Sequence, residues 1–173
     1  MYFPLFLDLS DKNILVAGAG RIACRRVRAL CGFAGHITVV APRICGDLSS
    51  IGALSRADSE GDSADLYWDG TSLMFFRRRF RETDLEGMDM VLAATDDAAQ
   101  NGRIADLCHE RGIPVNVCSD AQSCDFQFPS VVETKGIVIG MNASGVDHRL
   151  VKETRKQVET LFEDADFHSR YGS

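Results

Sequence analysis

The stretch Asn13-Ile14-Leu15-Val16-Ala17-Gly18-Ala19-Gly20-Arg21-Ile22-Ala23-Cys24-Arg25-Arg26-Val27 decides the fold. Its first five residues read as a buried strand, and a helix is expected to open directly after Gly18-Ala19-Gly20-Arg21-Ile22-Ala23. That turn has G-x-G-x-x-A spacing, and each small residue has its own reason. The first glycine makes the tight bend, the second lets the backbone approach a pyrophosphate, and the third small residue lets helix and strand pack closely. The helix start then offers N–H groups and the positive end of its dipole to an anion. Glycine and alanine are common, so the spacing alone is a weak signal. The strand-like run before it and the helix-like run after it supply the context the motif requires. Without a ligand the same residues make a plain glycine-rich strand-to-helix turn.

Outward from this turn, Ala23, Val27, Leu30 and Cys31 give a helix over about Arg21 to Cys31 one apolar face, with Arg25, Arg26 and Arg28 away from it. His36 to Val40 is β-branched and reads as a second parallel strand. It ends in Ala41-Pro42-Arg43, where an NAD site usually places an acid for the ribose hydroxyls. Arg43 either faces a 2′-phosphate or stacks on adenine, so the residues leave NAD and NADP both open. Asp47 to Ala57 suggests a short helix, and Arg56 to Gly70 a polar surface excursion with Trp68 as a packing anchor. Leu73 to Phe76 is the next strand. The basic run Arg77 to Arg81 after it is either a charged edge or an anion contact. Met88 to Ala94 is the fourth strand, closed by Thr95-Asp96-Asp97 at the edge where ligands bind in such sheets. Asp97 is placed to cap a helix from Ala98 to Arg111 that stops at Gly112, and Pro114 to Cys118 is the fifth strand. Strands alternating with helices predict an α/β fold, a Rossmann-like parallel sheet with helices on both faces.

The period changes after Ser119. Two short strands, Ser130 to Glu133 and Gly136 to Asn142, precede a final helix from about Asp147 to Phe162 with Leu150, Val151, Thr154, Val158, Leu161 and Phe162 on one stripe. A hairpin and one amphipathic helix bury little alone. The reading is therefore a dinucleotide-binding domain over residues 1–118 and a dimerisation and substrate region over 119–173, in a homodimer, with a frayed tail from Glu163. Asp147-His148 suits a helix cap plus a solvated histidine better than a metal site. His109 and His168 have no partner in sequence, and Cys118 with Cys124 lacks a third ligand, so no metal site is expected.

At 173 residues, with 45% apolar and 25% charged residues, the chain is an ordinary globular composition. A net charge of −6 argues against a general nucleic-acid binder. No apolar run reaches the length of about 18 residues that a membrane span needs. Met1 to Leu9 has no basic start or cleavage site and is expected to dock on the core as an edge segment. Six cysteines without a C-x-x-C pair suggest reduced thiols and a cytoplasmic protein.

Four stretches together carry a resemblance: Pro4-Leu5-Phe6-Leu7-Asp8-Leu9 ahead of the glycine turn, Ile37-Thr38-Val39-Val40-Ala41-Pro42, Ala93-Ala94-Thr95-Asp96-Asp97 with Asn101, and Val115-Asn116-Val117 running on to Asp125-Phe126-Gln127-Phe128-Pro129. In order and spacing the chain resembles the siroheme synthase N-terminal family, the precorrin-2 dehydrogenase/sirohydrochlorin ferrochelatase enzymes. The resemblance implies NAD-dependent dehydrogenation of precorrin-2 to sirohydrochlorin, with Fe²⁺ insertion in bifunctional members. It implies NAD contacts at Gly18, Gly20, Arg21, Ile22, Pro42, Arg43 and Thr95. It also implies a Rossmann domain, a dimerisation region and often a third, helical domain, which would be shortened or absent here. The family's acid follows the fifth strand in an N-V-x-D pattern; here Ser119 holds that place and Asp120 follows it. Either Asp120 reaches in as the catalytic base, or it is a turn former and the dehydrogenase is weakened or lost. A polycarboxylate substrate meeting an acidic chain needs cations at the mouth, for which Arg21, Arg25, Arg77, Arg79 and Arg149 are candidates. A second departure is Ala143 to His148, where the family's glycine-rich turn keeps one glycine. The alternatives implied are a sirohydrochlorin chelatase only, or a non-catalytic NAD- and tetrapyrrole-binding module.

Overall fold

The computed structural model describes residues 2–44, 63–134, 136–144 and 147–163. The short helix expected at Asp47 to Ala57 and the expected frayed tail beyond Glu163 lie outside them. The chain divides into two units, Phe6–Phe126, and Met1–Leu5 with Gln127–Ser173.

The larger unit begins with β1 (Asn13–Ala17), α1 (Arg21–Leu30) and β2 (His36–Val40). These follow the expected strand, helix and strand. Next come β3 (Ser63–Trp68) and β4 (Thr71–Phe76), then a 3₁₀ turn (Glu82–Leu85) and β5 (Met90–Ala93). The unit closes with α2 (Ala98–Arg111) and β6 (Val115–Val117). The sheet order is β3-β4-β2-β1-β5-β6. Every pairing is parallel except β3 with β4. The chain leaves β1 for β2 on one side and later returns to place β5 on the other. The order therefore reverses between β1 and β5, the point where open α/β sheets bind ligands.

β3 corrects the sequence reading, which took Arg56 to Gly70 as a surface excursion. Asp69 and Gly70 both have positive φ, 50° and 79°, as a two-residue hairpin turn between twisted strands demands. The Asp-Gly pair between Trp68 and Thr71 is the local signal for it.

Side chains alternate across the sheet. Leu15, Ala17, Val91, Ala93, Val115 and Val117 join Ile104, Ala105 and Cys108 of α2 in one buried cluster. By the two-residue strand period, Ile14, Val16 and Leu92 face the other way, toward the side that α1 covers with Ala23, Val27 and Leu30. Asp97 caps α2, accepting from the Ala99 and Gln100 N–H groups at 2.9 and 3.1 Å, and Gly112 ends it in the left-handed region.

β6 lies at one edge of the sheet, yet its outward backbone groups are occupied. The Val115 N–H donates to Asp125 Oδ2 at 2.8 Å, and the Val115 carbonyl accepts from the Asp125 N–H at 2.9 Å. The Val117 N–H donates to Cys124 Sγ at 3.1 Å, and its carbonyl accepts from the Asp120 N–H at 3.3 Å. The loop after β6 thus folds back and satisfies the groups that burial would penalise.

The smaller unit holds β7 (Ser130–Thr134), β8 (Ile137–Met141) and α3 (His148–Glu163). β7 and β8 form the expected antiparallel hairpin. Asp147 caps α3, accepting from the Leu150 N–H at 2.8 Å. Val151, Thr154, Val158 and Phe162 are half-buried, whereas Leu150 and Leu161, assigned to the same stripe, are exposed. The leading segment also departs from its expected docking: Phe3, Leu5, Phe6 and Leu7 are all exposed, Phe3 at 87%. Cys31, Cys108, Cys118 and Cys124 are free thiols. No described helix is long and apolar enough to cross a membrane.

Candidate functional site

The glycine turn sits at the carboxyl end of β1, against the exits of β2 and β5, where the strand order reverses. Gly18 has φ 112°, and its N–H donates to the Val40 carbonyl at 2.8 Å. A Cβ there would stand 2.3 Å from the Ala94 carbonyl oxygen. Only glycine allows both the conformation and the contact between the β1 and β5 exits. Gly20 is the opposite case. A Cβ on it would meet nothing within 4 Å, so the space beside its backbone is open.

Gly20 is also the N-cap of α1, and it supplies no side-chain hydrogen bond. No acidic residue lies in the first turn, and Arg21 is its first residue. An ordinary helix start is stabilised by a capping oxygen or a carboxylate; this one has neither, and it adds a cation. The donors of the first turn thus remain for an external anion, and an open glycine backbone lies beside them. These residues fit the pyrophosphate of a dinucleotide. Ile22 is 45% exposed beside the turn, an apolar surface next to the open space. Pro42 and Arg43 are exposed just past β2, and Thr95 is half-buried just past β5.

Thr95 is held by Asn101 of α2. The Thr95 N–H and hydroxyl donate to Asn101 Oδ1 at 3.0 and 2.6 Å. The Asn101 amide in turn donates to Ser119 Oγ at 3.2 Å. Ser119 lies just beyond β6, so the β5 and β6 exits are joined through one buried amide.

Asp120 is fully exposed. It accepts from the Ser123 hydroxyl at 2.6 Å and the Gln122 N–H at 2.9 Å, within its own loop. The Ser123 bond, then the Gln122 bond, hold its carboxyl below the usual carboxylate range. Among the cationic candidates, Arg21, Arg25, Arg79 and Arg149 are exposed. Arg149 pairs with Glu153 one helical turn on. In the basic run, Arg78 is committed to Asp84 through two hydrogen bonds of 2.8 and 2.6 Å and stacks over Phe76. Among the described residues no group of three or more His, Cys, Asp or Glu side chains is arranged to hold a metal.

Arg26 is the site neighbour that the sequence reading placed wrongly. It is half-buried, and its guanidinium donates to Asn116 Oδ1, while Asn116 Nδ2 donates to the Phe126 carbonyl at 2.6 Å. Burial lowers the Arg26 pKa, partly offset by the neighbouring Cys118 and Cys124 thiols. The signal in the sequence was Asn116 itself: a polar residue between two valines of a buried strand needs a buried partner.

A family model described as NAD(P)-binding matches residues 5–130. A siroheme synthase of Nitrosospira multiformis is 34% identical over 160 residues, which is 92% of this chain and 31% of that protein. One of Sodalis glossinidius is 32% identical over 160 residues, with the same coverage of both chains. The chain thus spans about a third of the length of the relatives it matches. Among solved structures, SirC, a precorrin-2 dehydrogenase, superposes with a TM-score of 0.70 at 22% identity, covering 96% of this chain and 74% of that one. The fold is shared with that structure, and the resemblance carried by the four sequence stretches is borne out.

Proposed function

Because the chain belongs to the NAD(P)-binding family whose model it matches over residues 5–130, and siroheme synthases are among its relatives, we propose that it is an NAD-dependent precorrin-2 dehydrogenase. The product would be sirohydrochlorin, within siroheme biosynthesis. One observation carries the reading. An uncapped helix start beside an open glycine backbone lies where the strand order of a parallel sheet reverses.

Gly18, Gly20, Arg21 and Ile22 would hold the pyrophosphate, with the α1 N–H groups as donors and Arg21 as counter-charge. Pro42 and Arg43 would flank the adenosine end, and Thr95 would meet the cofactor at the β5 exit. NAD is preferred to NADP because the family resemblance implies it. When bound, the cofactor accepts the hydride that precorrin-2 loses. The accompanying proton needs a base, and Asp120 is the carboxylate proposed for it. Fe²⁺ would enter as a substrate of a second, chelatase step in which the macrocycle loses two N–H protons. Residues 1–118 would serve the cofactor and 119–173 dimerisation and substrate, in a cytoplasmic homodimer. The exposed Phe3, Leu5, Ile137, Leu150 and Leu161 support a second copy as the cover for apolar surface.

Incubation with precorrin-2 and NAD is expected to give NADH absorbance and the sirohydrochlorin spectrum. A folded protein with no turnover would defeat the proposal. Asp120→Asn is expected to abolish turnover, and a wild-type rate in that variant would remove Asp120 from the mechanism. Two observations favour a second reading, a module that binds without turning over. Asp120 is occupied within its own loop, and Ser119 holds the place of the family acid. On that reading wild type binds both ligands without reaction, and Ser119→Asp gains activity.

A further inference from the structure

Three polar side chains are buried among the described residues: Thr71, Asn101 and Asn116. Thr71 is spent between the Gly32 N–H and the Ala34 carbonyl. Asn116 joins Arg26 to the Phe126 carbonyl. Asn101, 1% exposed, instead reaches the carboxyl edge of the sheet. Its partners come from two separate strand exits. Oδ1 accepts from the Thr95 N–H and hydroxyl, and Nδ2 donates to the Thr95 carbonyl at 3.2 Å and to Ser119 Oγ at 3.2 Å. The amide has one possible orientation. A backbone N–H only donates, so an oxygen must face it, and a carbonyl only accepts, so the NH₂ must face that. Both lone pairs of the oxygen and both hydrogens of the nitrogen are used.

This arrangement fixes more than a fold contact. Asn101 projects from α2, a helix capped at both ends, which is a rigid mount for a site residue. Because Ser119 Oγ receives the amide hydrogen, its own hydrogen points elsewhere, and Ser119 is exposed. We infer that Asn101 is the positioning residue of the site, setting Thr95 on the cofactor side and Ser119 on the substrate side at a fixed relation to each other. The inference rests on the proposed dinucleotide reading. Asn101 touches neither ligand; it acts through the two residues it holds.

The test uses the full chain and two readouts, NADH affinity by fluorescence titration and kcat/KM for precorrin-2. Asn101→Ala is expected to weaken NADH binding about tenfold, the scale of losing a buried hydrogen bond. The double variant Asn101→Ala/Thr95→Val is expected to bind no worse than the weaker single variant, because both remove one coupled unit. Ser119→Ala removes only the substrate-side acceptor of the Asn101 amide and leaves its Thr95 contacts in place, so it is expected to lose more in kcat than in NADH affinity. It also serves if Asn101→Ala does not fold, since thermal unfolding identifies such a variant. Wild-type NADH affinity in Asn101→Ala, or additive losses in the cycle, would overturn the inference and leave the dehydrogenase proposal standing. A wild-type protein that binds no NADH would overturn both, so the two failures are told apart.

Discussion

Asp120 is a weaker base than an ordinary aspartate, because Ser123 and Gln122 already donate to its oxygens. A carboxyl held below its usual range keeps its charge to lower pH, so any activity that needs Asp120 ionised persists further into acid. Ser123→Ala removes the first cause of the shift. Carbon-detected NMR titration is expected to show the Asp120 pKa rising in that variant, and an unchanged value would mean the Ser123 bond does not form. The thiols divide by burial in the same way. Desolvation pushes Cys31 and Cys108 up to about 11, so at pH 8 both are thiols and not nucleophiles. Native labelling with a disulfide reagent is expected to spare both and to modify them only after denaturation. At this scale the sequence was partly legible. Gly18 announced itself because the motif demands glycine for a backbone reason. Asp120 did not, because whether a loop carboxylate faces inward or ties its own turn depends on residues two and three positions away.

The turn between β1 and α1 makes a sharper test at the scale of the element. Its two glycines have different reasons, and substitution separates them. Gly18→Ala forces a Cβ to within 2.3 Å of the Ala94 oxygen at a positive φ, so a loss of several kcal/mol or failure to fold is expected. Gly20→Ala meets no atom within 4 Å, and its melting temperature is expected to stay near wild type while NADH affinity falls. Equal loss of stability in both would remove the distinction. The strong elements were readable because their period was uninterrupted: β1, β2 and β5 are nearly continuous apolar runs, and α1 and α2 carry apolar residues at helical spacing. β3 was missed because Ser63, Asp65 and Tyr67 make its outward face polar and its Asp-Gly turn was read as part of a loop. Arg26 was misplaced because Arg25, Arg26 and Arg28 look alike in sequence, and only the opposing Asn116 selects one for burial.

For the whole molecule, charge and exposure pull in different directions. A net charge of −6 favours dispersal in solution, yet Phe3, Leu5, Ile137, Leu150 and Leu161 leave apolar surface uncovered. If a second copy covers that surface, sedimentation equilibrium is expected to return twice the monomer mass, and Leu150→Glu with Leu161→Glu to shift it toward the monomer. A monomer at all concentrations would remove the homodimer from the proposal. The sheet itself takes no part in such growth at β6. There the Val115 and Val117 groups are satisfied by Asp125, Cys124 and Asp120 of the same chain. An incoming strand would have to displace a folded loop before finding a single free donor, so that border of the sheet offers no template for aggregation.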